Sequence, residues 1–121
     1  MRTRPDVIDT VQIEGHEVHL DEHGFLIDPE EWTREVAEAL AAKLGIAMTP
    51  EHWDVIGFMR EFLAEHGVAA DARFVFRFLD ERAEAQGITG RDLFFRLFPY
   101  GYVGQACKIA GMRQPRAWST G

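Results

Sequence analysis

Apolar residues follow two different periods along this chain. In residues 11–13 and 18–20 they alternate with polar residues, and residues 14–16 between them form a turn-competent spacer. A period of two is typical of half-buried strands, so this pair predicts a small β-hairpin. A second turn signal, at residues 21–24, precedes the apolar stretch 25–27, which we expect to add a third short extended segment.

From residue 29 onward the apolar positions recur at steps of three and four, which predicts helices. Capping residues and glycines mark their ends, as where Asp28 precedes Pro29 and Gly45 follows the first helix. The five predicted helices are 29–44, the segment from Pro50 to its stop at Gly67, 72–86, the segment from Thr89 through Leu97, and 102–110. The pattern therefore predicts a mostly α fold behind an N-terminal hairpin.

The length of 121 residues and the hydrophobic content of 46% fit one domain with one core. Residues 1–5 are expected to fray, and residues 112–121 have no periodicity and predict an exposed tail. No apolar run approaches the roughly 18 residues that cross a bilayer, and no signal-peptide pattern opens the sequence. Because Cys107 is the sole cysteine, no intrachain disulfide can form. We expect a cytoplasmic, monomeric protein that does not insert into membranes.

The net charge of −7 is unevenly distributed. Residues 1–87 carry 8 basic and 19 acidic side chains, whereas residues 88–121 carry five basic side chains and one acidic side chain. An acidic body is unsuited to tracking a phosphate backbone, so the composition disfavours nucleic acid as a partner. The basic C-terminal third favours an acidic partner or an anionic ligand, unless its charges only solvate the surface.

Metal and ordinary enzyme chemistry find little support in the residues. His16, His19 and His23 are close in sequence, but their spacing on strands and turns does not match a closed metal site, and we expect solvated histidines and no metal. Paired carboxylates such as Glu30 and Glu31 lie at predicted helix starts, where surface charge is expected. The chain contains no nucleophile elbow, phosphate loop or dinucleotide fingerprint, so we predict no cofactor.

Cys107 is the one soft nucleophile. It lies beside Lys108 and near Arg113 and Arg116, and nearby positive charge lowers a thiol pKa and increases the reactive thiolate. The alternative is a buried, inert helix cysteine between Ala106 and Ile109.

Two C-terminal motifs carry a resemblance to a known family. They are the segments Leu97-Phe98-Pro99-Tyr100-Gly101 and Gln105-Ala106-Cys107-Lys108-Ile109-Ala110-Gly111. With residues 21–26 and 51–53, they closely resemble the DsrC/TusE/DsvC family of sulfur-trafficking proteins over nearly the whole chain. The resemblance implies a small orthogonal bundle of about five helices with an N-terminal β-hairpin and a mobile C-terminal arm.

The resemblance also implies a mechanism from which this sequence departs. Family members carry persulfide sulfur on a penultimate cysteine of the arm, and dissimilatory members add a second cysteine eleven residues earlier. Cys107 matches the earlier position, while the later one is occupied by Trp118. The family's proline and lysine before the glutamine are replaced by Tyr102 and Gly104, which weakens any site for an anionic sulfur species.

These observations leave three hypotheses. The leading one is a regulatory member that docks on sulfur-relay or sulfite-reductase-type proteins through Lys108, Arg113, Arg116 and Trp118, unless Trp118 folds back onto the domain. The second is a sulfurtransferase-type carrier that forms a persulfide or mixed disulfide at Cys107. The third is a helix-turn-helix regulator that binds DNA, which the net charge disfavours. Its candidate basic face is Arg73, Arg77, Arg91 and Arg96.

Overall fold

The chain begins its described structure with a tight antiparallel hairpin. The computed structural model describes residues 9–113. Strands β1 (Asp9–Ile13) and β2 (His16–Leu20) pair with Val11 opposite Val18. Glu14 and Gly15 have φ angles of 50° and 79°, as a two-residue turn of the primed type requires. The predicted hairpin is confirmed, although His16 belongs to β2 and not to the turn.

The predicted third extended segment is reduced to a single bridge. Leu26 pairs with Leu20, and the Ile27 amide donates to the His19 carbonyl over 3.0 Å. Asp21 closes the intervening turn by accepting hydrogen bonds from the amides of His23 and Phe25. These contacts fix the loop against the hairpin without forming a full third strand.

Four α-helices follow, and a π-helical segment ends the fold. The helices are α1 (Arg34–Lys43), α2 (Pro50–His66), α3 (Ala72–Ala85) and α4 (Gly90–Leu97); the π-helical segment, Tyr102–Cys107, continues as α-helix to residue 109. Thr49, Asp71 and Thr89 each accept a hydrogen bond from a first-turn amide of the helix they precede. The mostly α fold with its N-terminal hairpin is confirmed.

The predicted start of the first long helix is wrong. Residues Pro29–Glu31 form a separate 3₁₀ turn capped by Asp28, and Trp32 then takes an extended conformation with φ −70° and ψ 132°. Thr33 starts α1 afresh by accepting from the Val36 amide over 3.1 Å. At this break the Trp32 indole donates from Nε1 to the Ile109 carbonyl over 2.8 Å, and the Thr33 cap begins the new helix.

Two apolar clusters form the core, and Trp32 packs against both of them. The smaller joins the hairpin to α1 through Ile13, Val18, Leu20, Leu26, Val36 and Leu40. The larger is built mainly from α2, α3, α4 and the last helix, and it includes Cys107, Tyr102 and Met112. The C-terminal motifs therefore form part of the main core.

Candidate functional site

The Cys107 thiol lies at the end of the π-helical segment and is fully buried. Burial raises its pKa from an ordinary value of 9.0 to about 12. The Tyr102 side chain hydrogen bonds with the thiol, and its hydroxyl donates to the Ala70 carbonyl over 2.5 Å. The bond with Tyr102 lowers the pKa of the thiol, but burial raises it by more, so the net shift is upward. Of the two settings that the sequence left open for this cysteine, the structure has the buried one.

The turn before Cys107 is held by a second buried side chain. Gln105 is 2% exposed, and its Oε1 accepts from the Tyr100 amide over 2.8 Å. This bond fixes the backbone next to Gly101, which has a φ of 97° that favours glycine. Tyr100 itself projects outward and is 80% exposed. The Leu97–Gly101 motif is therefore bonded to the last helix through Gln105 and has one exposed aromatic side chain.

Lys108 does not supply the thiol with an electropositive setting. Its Nζ lies 5.2 Å from the centre of the Phe25 ring, and a Cβ atom added at Gly24 would lie 3.6 Å from this Nζ. The side chain borders an open groove of about 380 Å³ that acidic residues and Lys43 also line. Desolvation thus dominates at Cys107, and the thiolate that the adjacent lysine suggested is disfavoured.

The described structure ends within the C-terminal arm, so it includes only some of the residues that the sequence assigned to partner docking. Arg113 is exposed, whereas Arg116 and Trp118 lie outside the described residues. Two side chains that the sequence did not single out bind the helix just before the arm. They are Trp32, whose indole donates to the Ile109 carbonyl, and Arg60, whose Nη1 donates to the Ala110 carbonyl over 2.6 Å. No local motif marks either residue, because their partners lie 77 and 50 positions away.

The expectation of solvated histidines is wrong for His19. Its ring bonds to the carboxylates of Glu31 and Glu17, at 2.7 Å and 3.2 Å, and the hydrogen bond with Glu31 raises the pKa of His19 above 6.5. Glu31 is half-buried and also accepts from the His19 backbone amide over 2.9 Å, so it is not simply surface charge. Within residues 9–113 no cluster of three His, Cys, Asp or Glu side chains suits a metal ion.

The arginines proposed as a DNA-binding face are partly engaged in local contacts. Arg73 pairs with Asp71, the N-cap of α3, at 3.3 Å. Arg91 lies over the Phe95 ring, 5.0 Å from its centre. Arg96 donates to the Gln86 side chain over 3.4 Å. Arg77 lies 5.9 Å from the centre of the Phe74 ring.

Comparison with known proteins places this arrangement in a family. A family model described as "DsrC like protein" matches residues 12–117. The chain belongs to the DsrC-like family. Sulfurtransferase TusE of Escherichia coli O6:H1 is 35% identical over 102 residues, which cover 84% of this chain and 93% of that protein. Sulfurtransferase TusE of Salmonella typhimurium is 36% identical over the same shares. The resemblance seen in the sequence is confirmed.

Solved structures agree with this DsrC-like assignment. The oxidised gamma subunit of the dissimilatory sulfite reductase (DsrC) from Archaeoglobus fulgidus superposes with a TM-score of 0.80 at 35% identity, covering 91% of this chain and 99% of that one. Allochromatium vinosum DsrC gives a TM-score of 0.76 at 32% identity, covering 91% and 97%. Within the described residues, no helix has the length and apolarity that spanning a membrane requires.

Proposed function

We propose that this DsrC-like protein modulates sulfur traffic by docking on proteins of sulfur metabolism and does not carry sulfur on its own arm. The observation that carries the proposal is the state of its sole cysteine, which is fully buried and has its pKa raised to about 12. The thiolate is the form that attacks sulfur, and at pH 7 about one thiol in 10⁵ is ionised at such a pKa. A buried neutral thiol is a poor acceptor of persulfide sulfur.

The docking surface in this proposal is the basic C-terminal arm. Lys108 is half-buried, Arg113 is exposed, and Arg116 and Trp118 follow in the sequence. The position eleven residues after Cys107 holds Trp118, whose indole cannot hold a persulfide. Tryptophan and arginine are the side chains that most often dominate interface energies, and basic residues steer an arm toward an acidic surface. An anchoring tryptophan would let the arm occupy a partner's site without delivering sulfur.

Binding to dissimilatory sulfite reductase that lacks its gamma subunit tests the docking role. Calorimetry compares the wild-type chain with Trp118→Ala and with Trp53→Phe, a control on α2. We expect Trp118→Ala to weaken binding by more than about tenfold, as loss of an interface anchor does, and the control to bind like wild type. Equal affinity for Trp118→Ala and wild type would argue against the anchor. Failure of the wild-type chain to bind would argue against this class of partner.

Intact-mass spectrometry tests the absence of sulfur carriage. The wild-type chain and Cys107→Ala are incubated with a persulfide donor under conditions that load a DsrC relative with two cysteines. We expect no gain in mass on either protein, because the thiol is buried. A donor-dependent gain of one sulfur on the wild-type chain alone would make Cys107 a carrier.

The carrier role at Cys107 is the second candidate function, and the backbone conformation favours it. The thiol terminates a π-helical segment, and π-helical turns occur frequently at functional sites. This role requires the thiol to become accessible through a local rearrangement. The mass measurement above decides between the two candidates.

A further inference from the structure

The last turn of the C-terminal helix has all four of its final carbonyl groups bound. Carbonyls at a helix end have no partner within the helix, so each needs one from elsewhere. The Met112 amide donates to the Cys107 carbonyl over 3.0 Å, and the Gly111 amide donates to the Lys108 carbonyl over 3.1 Å. The next two carbonyls are bound by side chains, Ile109 by Trp32 and Ala110 by Arg60. Two residues distant in sequence thus complete the cap.

Trp32 and Arg60 also bind each other. The Arg60 guanidinium lies over the indole, 3.8 Å from the ring centre, and burial lowers the pKa of Arg60. Within residues 9–113 this guanidinium makes no ion pair with a carboxylate. Its charge-assisted bond to Ala110 and its stacking on Trp32 are therefore the contacts that offset its partial desolvation.

The chain after Ala110 passes directly beside the same indole at Gly111 and then enters the core at Met112. Gly111 has a φ of 74°, and a Cβ atom at this position would overlap the Trp32 ring. Met112 is 4% exposed and belongs to the same apolar cluster as Cys107. Arg113, the next residue, is exposed. Residues 109–112, which we call the arm root, are thus fixed to the body up to Met112.

We infer that Trp32 and Arg60 form a clamp on the arm root, and that release of this clamp exposes Cys107 while the rest of the fold stays intact. Release breaks the two side-chain bonds, frees the Met112 amide from the Cys107 carbonyl, and withdraws Ile109 and Met112 from the cluster around the thiol. Local openings of this kind require less free energy than global unfolding. The inference concerns the chain alone and holds whether or not the arm docks on a partner.

Alkylation of Cys107 by iodoacetamide under native conditions tests the clamp. The clamp variants are Trp32→Phe, which keeps an aromatic ring and removes the indole N–H donor, and Arg60→Met, which keeps the stem and removes the guanidinium. A matched pair of controls is Trp53→Phe and Arg34→Met, because the Arg34 guanidinium stacks over Trp53 at 3.9 Å in the same way. Global stability of every variant is measured in urea, so that each alkylation rate is corrected for unfolding.

We expect each clamp variant to raise the corrected alkylation rate by about 10- to 100-fold, as loss of a charge-assisted or partly buried hydrogen bond predicts. The controls should stay within about threefold of wild type. In the wild-type chain, alkylation at low urea should depend on denaturant much less steeply than global unfolding does. Equal corrected rates in clamp and control variants would overturn the inference. The inference would also be overturned if the alkylation rate of the wild-type chain depended on urea as steeply as global unfolding does. This second test does not require any variant to fold.

Discussion

The hydroxyl of Tyr102 is the buried polar group whose removal tests the core around Cys107 most directly. Tyr102 is 1% exposed, and its hydroxyl donates to the carbonyl of Ala70, a residue that is itself fully buried. Tyr102→Phe keeps the ring and removes only this oxygen. The substitution leaves the Ala70 carbonyl and the Cys107 thiol without this hydrogen-bond partner in a site that water does not reach.

Orphaning a buried acceptor costs about 1–3 kcal/mol, more than the net value of a hydrogen bond at the surface. Unfolding entropy for 121 residues is about 0.25 kcal/mol/K, so the expected fall in Tm is about 4–12 °C. Thermal and urea unfolding, both followed by circular dichroism, measure the change. Removing a single atom should hardly change the surface that unfolding exposes, so the urea m-value should stay constant.

Tyr100→Phe is the matched control, since this second tyrosine is 80% exposed and loses the same atom. Its stability should stay within about 0.5 kcal/mol of wild type. Indistinguishable losses in the two variants would refute the reasoning, because they would mean that the Tyr102 hydroxyl is as well solvated as that of Tyr100. A large loss in the Tyr102 variant alone would support the buried bond.

Three further predictions rest on titration and on close approach. Because burial raises the Cys107 pKa to about 12, the unfolded thiol ionises first, so unfolding free energy should fall as pH rises from 9 to 12. In urea titrations, the unfolding free energy of Cys107→Ala should fall less steeply with pH than that of wild type. Parallel curves for the two proteins would contradict the raised thiol pKa. Because Glu31 raises the His19 pKa, their pair stabilises the fold fully below pH 6.5, and this stabilisation is lost as pH rises through the raised pKa. Glu31→Gln should lower that pKa in an NMR titration of the ring, whereas an unchanged midpoint would exclude the contact. Gly90→Ala would place a Cβ atom against the α3 backbone and should destabilise by about 1–3 kcal/mol, while Gly57→Ala faces open space on α2 and should stabilise by about 0.5–1 kcal/mol. Urea unfolding measures both stability changes, and changes of the same sign in the two variants would be inconsistent with the packing around these glycines.

The sequence by itself determined the features that depend on neighbours a few positions away. The alternation of apolar and polar residues on both sides of residues 14–16 predicted the hairpin, because both strands and their turn lie within a short stretch of sequence. Thr49 before Pro50 and Gly67 after α2 predicted that helix almost to the residue, since the caps bind amides and carbonyls of the adjacent turn. The family motifs likewise lie in continuous segments. Fold class and family followed from such local information.

Tertiary structure decided the state of the candidate site. Nothing near Cys107 in the sequence shows that its thiol is fully buried, and the adjacent Lys108 suggested the opposite change in thiol pKa. The expected helix 29–44 is interrupted at Trp32, whose indole binds a carbonyl 77 positions away that the sequence does not reveal. Local periodicity encodes bonds between residues three or four apart. Burial, desolvation and the capping of a helix end by distant side chains depend on which segments meet, and only the folded chain determines that.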